Sequence, residues 1–223
     1  MEQTFREVAS SLVAISRSFY ARGWALGTSG NFSAVLTREP LRLAITPSGA
    51  DKGELSAEQI VVVGREANQS EDSTSKPSAE ALLHINVVLR RGAGAVLHTH
   101  SVWSTVLSNV YATAGGILIE GFEMLKGLEE VKSHEHREWL PIVENSQDIR
   151  ALAENVSKIL DLYPDAHGFL LRQHGLYTWA ADLGKAKRHV EILEFLLETI
   201  GRLQSITPER CTVDDPKLKN RSQ

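Results

Sequence analysis

The chain has a single cysteine, Cys211, among its 223 residues, so no disulfide can form within it and nothing in its cysteine usage points to secretion. It also lacks a basic excess: 24 Lys and Arg stand against 28 Asp and Glu, a formal net charge of −4. That balance excludes a general nucleic-acid or anionic-membrane surface, which needs a basic face. A phosphorylated small substrate stays open, because a local nest of N–H groups and one lysine can outweigh a mildly acidic whole. No apolar run approaches the ~18 residues of a membrane span. The opening MEQTFREVASSL carries Glu2 and Glu7 and has no signal-peptide core. The expectation is a cytoplasmic protein with neither nucleic acid nor membrane as partner. What is present is an ordinary globular mixture, 42% hydrophobic and 23% charged, on a length that one α/β domain with a large core can fill.

Phe5, Val8, Leu12, Ile15 and Phe19 step by three and four, one apolar face of a helix, with Gly23 at its stop. NFSAVL and LRLAIT read as a strand pair, and IVVV as a short buried strand. GREANQSEDSTSK has no apolar periodicity and reads as a surface loop. Ser78 is the expected N-cap of a helix through AEALLHINVVLRR, ending at Gly92. The strand AGAVLH follows, then a helix through SVWSTVLSNV. GGILIEGFEMLKGL mixes a strand with a helical turn. WLPIV, GFLLRQH and GLYTWA read as strands, SQDIRALAENVSKILDLYP as a helix, and Asp182 as the cap of a last long helix. No repeat or linker divides the chain, so one α/β catalytic domain over 1–206 is expected, followed by a polar tail over 207–223. Its strands are often joined by hairpins, which favours a mixed or mainly antiparallel sheet.

Two His-x-His pairs stand out, and only one has a rigid frame. Residues i and i+2 of a strand face the same way, so His98 and His100 at the end of GAGAVLHTHS can share one cation. Neutral imidazoles are common ligands of zinc-type ions, and a catalytic site takes three protein ligands and leaves one position open. From this pair alone, hydrogen-bonded core histidines and a metal site are equally open. His134 and His136 lie in EEVKSHEHREW, a charge-rich run that reads as a solvated face. His174, in FLLRQHGLYTW, repeats the pattern of apolar strand, histidine and turn, and three such histidines can converge on one ion. His84, His167 and His189 lack that frame and read as structural.

GTSGNFSA, ITPSGADKGEL, KPSAEALLH, GAGAVLHTHS and RQHGLY occur in the order of the class II aldolase/adducin superfamily, which the chain resembles over roughly residues 5–205. Within it, GFEMLKGL is similar to the distinctive segment of the methylthioribulose-1-phosphate dehydratases of methionine salvage. The resemblance implies an α/β/α fold with a central, mostly antiparallel sheet flanked by helices. It implies His98, His100 and His174 as ligands of one zinc ion per subunit, and Glu123 as catalytic acid/base. It also implies a homotetramer with sites near subunit boundaries, acting on a small sugar phosphate. Manganese, iron or cobalt could occupy a three-imidazole site as well.

By similarity, Asn31, Ser48, Gly49 and Ser78 hold the phosphate, with Lys76 and Lys126 as helpers. TSGN and TPSG are Gly-containing turns able to present N–H groups to an anion, though such sequences are often merely turns. Glu80, the glutamate of PSAE, is the acid/base in the superfamily's aldolases and reads here as the lesser candidate, or as a first-turn helix glutamate. Phe122, Met124 and Trp103 are candidates to line an apolar substrate end. An aldolase or 4-epimerase on the same metal site is the alternative. Those relatives borrow a tyrosine near the C-terminus, whereas Tyr20, Tyr111, Tyr163 and Tyr177 all lie upstream of the tail. A non-catalytic, adducin-like interaction domain has no need of three placed histidines.

Overall fold

A computed structural model describes residues 4–68 and 75–206. The tail over 207–223 and the middle of the expected 64–76 loop lie outside the described residues. Among the described residues, five α-helices and eight strands follow one another along the chain. Helix α1 (Phe5–Ala21) opens on a capping box in which Thr4 and Glu7 satisfy each other's backbone N–H. Then come β1 (Asn31–Arg38), β2 (Leu41–Ile45), β3 (Val61–Gly64), α2 (Ala81–Arg91), β4 (Ala95–Thr99) and α3 (Val102–Val110). The second half holds β5 (Gly116–Glu120), β6 (Arg137–Val143), α4 (Ile149–Leu162), β7 (Gly168–Leu171), β8 (Gly175–Ala180) and α5 (Leu183–Ile206). A 3₁₀ turn over Glu123–Gly127 separates β5 from β6.

The strands form one sheet in the order β3-β2-β1-β4-β8-β7-β6-β5, in which only β6 and β7 run parallel. The mainly antiparallel sheet expected from hairpin connections is the one observed. Strand alternation sorts its side chains to two faces. Val96, Phe169, Leu171 and Trp179 pack with α2 and α4 on one side. Ala95 and Leu97 pack with α1 and the start of α5 on the other, and Leu170 and Leu176 with α3 and the rest of α5. The helices therefore cover both faces, giving three layers around a dry sheet.

One expected boundary moves. Helix α2 begins at Ala81 with Glu80 in the cap position, not with Ser78. The Ser78 hydroxyl instead accepts the backbone N–H of Glu80 at 3.2 Å, so Ser78 shapes the turn that leads into the helix. Asp148, Ser101 and Asp182 cap the later helices through their side chains, and α2 stops at Gly92 in the left-handed region.

His84 on α2 and His189 on α5 are almost wholly buried, and burial pushes their pKa values down to about 3 and about 4. An unfolded histidine takes up a proton near pH 6.5, whereas these two do not until well below it, so the unfolded state binds more protons across that window and stability rises with pH there. Each group contributes up to ~1.4 kcal/mol per pH unit. Urea unfolding of the chelator-treated protein should show stability falling as pH drops from 6.5 towards 4. His189→Gln should reduce that slope by the equivalent of about one proton; an unchanged slope in the variant contradicts the assignment.

Candidate metal centre

Antiparallel register brings the site together. Asn31 of β1 lies opposite His98 of β4, and His98 lies opposite Tyr177 of β8. These three therefore form one row across the sheet, on the face covered by α2. The His98 ring stacks on Tyr177 at 3.9 Å between centroids with the planes 15° apart, and Tyr177 stacks on Phe169 at 4.9 Å. The His98 Nδ1–H donates to the Leu176 carbonyl at 2.9 Å, which aims the Nε2 lone pair at the strand end. His100 lies one residue past β4, fixed by its backbone N–H to the Trp24 carbonyl at 2.7 Å. His174 lies in the β7–β8 turn, three residues beyond the end of β7.

The three Nε2 atoms converge: His98–His100 at 2.7 Å, His100–His174 at 3.1 Å and His98–His174 at 3.3 Å. Burial, with neighbouring imidazoles adding to it, pushes His98 well below the ordinary histidine range and His100 down to about 3; burial also lowers His174. Three neutral rings thus present lone pairs to one small space, a donor set that fits a borderline divalent cation. Glu80 faces the same space, with its carboxylate oxygens 3.5 Å from His98 Nε2 and 3.6 Å from His174 Nε2. These four residues form one cluster of potential metal ligands.

Two glycines permit this approach. Gly30 has φ +72°, and a Cβ there would lie 2.8 Å from the His98 carbonyl oxygen. A Cβ on Gly175 would lie 2.0 Å from the Thr99 carbonyl oxygen, inside contact distance. The backbone closes around the histidines only because both side chains are absent.

A cavity of about 260 Å³ opens beside the histidines and is lined by Ser48, Gly49, Ser78, Asn31, Glu80 and His174, among others. All four residues expected to hold phosphate border it. Ser48 and Ser78 are drawn together because Pro47 and Pro77 bridge the two segments. The Asn31 side chain, however, is committed at both ends: its amide donates to Glu80 at 2.7 Å, and its oxygen meets His84 Nε2. Asn31 therefore orients Glu80, while Ser48, Gly49 and Ser78 remain turned to the cavity. Lys76 is exposed and supplies a carbonyl to Ser48 N–H.

Glu123 is not brought to the histidines within one chain. It is exposed on the Glu123–Gly127 turn, paired with Lys126 and 3.8 Å from His134. The hydrogen bond from Lys126 holds its carboxyl below the ordinary range. The partial burial that would tune an acid/base is thus not supplied by its own chain. Phe122, Met124 and Trp103 are likewise absent from the cavity lining. The expectation that His136 belongs to a solvated face is corrected. His134 is exposed, but His136 stands just before β6 and hydrogen-bonds to Glu138 within it, and Glu138 is buried between His136 and His167.

Several contributors were invisible along the chain. Lys52 is buried and donates from Nζ to the carbonyls of Ala50 at 2.9 Å and Thr28 at 3.2 Å. It ties the TSGN and TPSG turns together, and burial lowers its pKa to about 8. Its place in ADKGEL was the only hint. Asn145 sits 3.4 Å from His174 Nδ1, delivered by the β6–α4 loop, which no local pattern connects to His174. His84 carried no signal beyond its burial in an amphipathic helix.

Comparison with known proteins identifies the family. The family described as Class II Aldolase and Adducin N-terminal domain matches residues 10–200. A curated relative from Sorangium cellulosum named methylthioribulose-1-phosphate dehydratase is 42% identical over 196 residues, 87% of this chain and 92% of its own. Another of that name, from Alcanivorax borkumensis, is 43% identical over 194 residues, 86% of this chain and 90% of its own. Among solved structures, YgbL from Klebsiella pneumoniae superposes with a TM-score of 0.77 at 27% identity, covering 98% of this chain and 99% of its own.

His98→Ala, His100→Ala and His174→Ala should each release the ion of this centre, and His134→Ala should not. Asn31→Ala, which frees the Glu80 carboxylate, should weaken binding by ~10–100-fold, as removal of an outer-shell partner does. Competition against a zinc-binding dye measures all five proteins. Undiminished affinity in the His174 variant sinks the assignment.

Proposed function

The chain belongs to the class II aldolase and adducin family, and from that premise we propose that it is a cytoplasmic methylthioribulose-1-phosphate dehydratase, a homotetramer with one catalytic zinc ion per subunit. The convergence of three neutral imidazoles beside a cavity rimmed by Ser48, Gly49 and Ser78 carries this reading, together with relatives of that name at about 40% identity over most of the chain. His98, His100 and His174 would hold the ion, which when bound would supply Lewis-acid polarisation of the substrate carbonyl. Ser48, Ser78 and the Gly49 turn hold the phosphate, and Lys52, from behind, keeps their loops in register. No helix among the described residues is long and apolar enough to cross a membrane, which accords with a small-metabolite enzyme.

The acid/base is Glu123, supplied to the site by a second copy of the chain. Its exposed position and its absence from the cavity beside its own chain's His100 and His174 support sharing across a boundary. Docking removes water from the carboxylate and moves its pKa back up. Glu123 takes the C3 proton of 5-methylthioribulose 1-phosphate and returns it to the C4 hydroxyl, which leaves as water. The resulting enol ketonises to 2,3-diketo-5-methylthiopentyl 1-phosphate, so the net change is loss of one water. A second reading gives the proton to Glu80, because that carboxylate already stands 3.5 Å from His98 Nε2; the same site then performs aldolase or epimerase chemistry.

Glu123→Gln should keep its metal and lose ~10²–10⁴-fold in turnover, with Glu80→Gln milder. Mixed assemblies of Glu123→Gln chains with His98→Ala chains should regain activity that neither parent has, because some sites then pair intact histidines with an intact glutamate. A dead Glu80 variant beside an active Glu123 variant overturns the dehydratase assignment, and failure of mixing to restore activity overturns the sharing. Ser48→Ala or Ser78→Ala removes a hydroxyl donor to a charged acceptor and should weaken inorganic phosphate inhibition about 10- to 150-fold; unchanged inhibition displaces the phosphate site.

A further inference from the structure

We propose a second divalent-cation site, built from His136, Glu138 and His167 at the opposite end of β7 (Gly168–Leu171) from His174, beside His189 of α5. Glu138 is 1% exposed, and its Oε2 receives both His136 Nε2 and His167 Nδ1, each at 2.8 Å. Its Oε1 accepts the backbone N–H of His167 at 2.8 Å. The three side-chain atoms lie within 4.8 Å of one another. Two imidazole nitrogens and one carboxylate oxygen are the donor set of a borderline cation such as Zn²⁺, whose ligand bonds of about 2.0–2.2 Å bring tetrahedral ligands to within about 3.3 Å of each other. The observed spacing needs only small shifts to reach that.

The surroundings have the form of an outer coordination shell. His167 Nε2–H donates to the Glu129 carbonyl at 2.9 Å, which leaves Nδ1 as the atom turned inward. A backbone acceptor on the second nitrogen is the usual way a metal-bound imidazole is oriented. A cavity of about 570 Å³, bordered by His136, His167 and Glu129, reaches the cluster from solvent. It supplies an entry path and room for a water as fourth ligand. His136, on the rim, is the most exposed of the three, so it can turn to admit the ion.

Binding exchanges protons for metal. His167 gives up its Nδ1 proton to solvent and keeps the one on Nε2, while His136 carries its remaining proton on Nδ1. The site would fasten the segment leading from the Glu123 turn into β6, because the Glu129 peptide is held on both sides, by His167 and by His189 Nε2 at 3.0 Å from its N–H.

The test removes the first centre. In the full chain carrying His98→Ala, His100→Ala and His174→Ala together, equilibrium dialysis against Zn²⁺ should find about one ion bound per chain. Co²⁺ in its place should give the visible absorption of a nitrogen- and oxygen-ligated site. Adding His136→Ala should abolish both signals with the circular dichroism unchanged; because its ring sits on the rim, this substitution avoids the folding loss that Glu138→Gln risks. The unsubstituted chain should bind two ions, and His136→Ala alone should lower that count to one. No ion bound by the triple variant, or binding that survives His136→Ala, overturns the proposal.

Discussion

The structure depends most on the antiparallel pairing of β1, β4 and β8. That register sets Asn31, His98 and Tyr177 side by side. Shifting β4 by one residue would turn His98 into the opposite layer, among Ala95 and Leu97's neighbours on α1. Everything at the site is referred to that row. Tyr177 stacks on His98, the Leu176 carbonyl fixes its tautomer, and Asn31 passes the position of His84 on to Glu80. His98 is thus held within the sheet, with His100 and His174 just beyond strand ends, while the phosphate-facing groups come from turns, a division that combines well-anchored ligands with a surface able to receive a substrate.

Electrostatics follow from the same burial. An isolated buried charge is costly, so the histidines stay neutral and Lys52 titrates unusually low. Neutral imidazoles are the form that binds a cation, which makes desolvation the device that prepares the site. By contrast, Glu123 stays exposed and ionised beside Lys126. The acid/base role proposed for it requires an environment that its own chain does not create.

The sequence was informative wherever chemistry follows local periodicity. The i, i+2 spacing of His98 and His100 and the hairpin around His174 pointed to convergence, and the apolar alternation located nearly every strand. It was silent where a partner comes from elsewhere in the fold. Nothing near Asn145 marks it as a neighbour of His174, and Ser78 reads as a cap because its residue type suits one, although Glu80 occupies that position. The charged run around His136 concealed a buried glutamate, because Glu138 faces inward by strand parity while its neighbours Arg137 and Glu135 face water. Composition reports the average of a segment, whereas burial is decided residue by residue.

The central claim is that this metal centre removes water from a sugar phosphate without breaking a carbon–carbon bond. The direct measurement is to incubate the zinc-loaded protein with 5-methylthioribulose 1-phosphate, and separately with fuculose 1-phosphate and ribulose phosphates, following each by phosphorus and carbon NMR. The account predicts one product, the 2,3-diketone phosphate, from the first substrate and no conversion of the others. Release of a three-carbon phosphate from any of them, with the methylthio sugar unchanged, would contradict it.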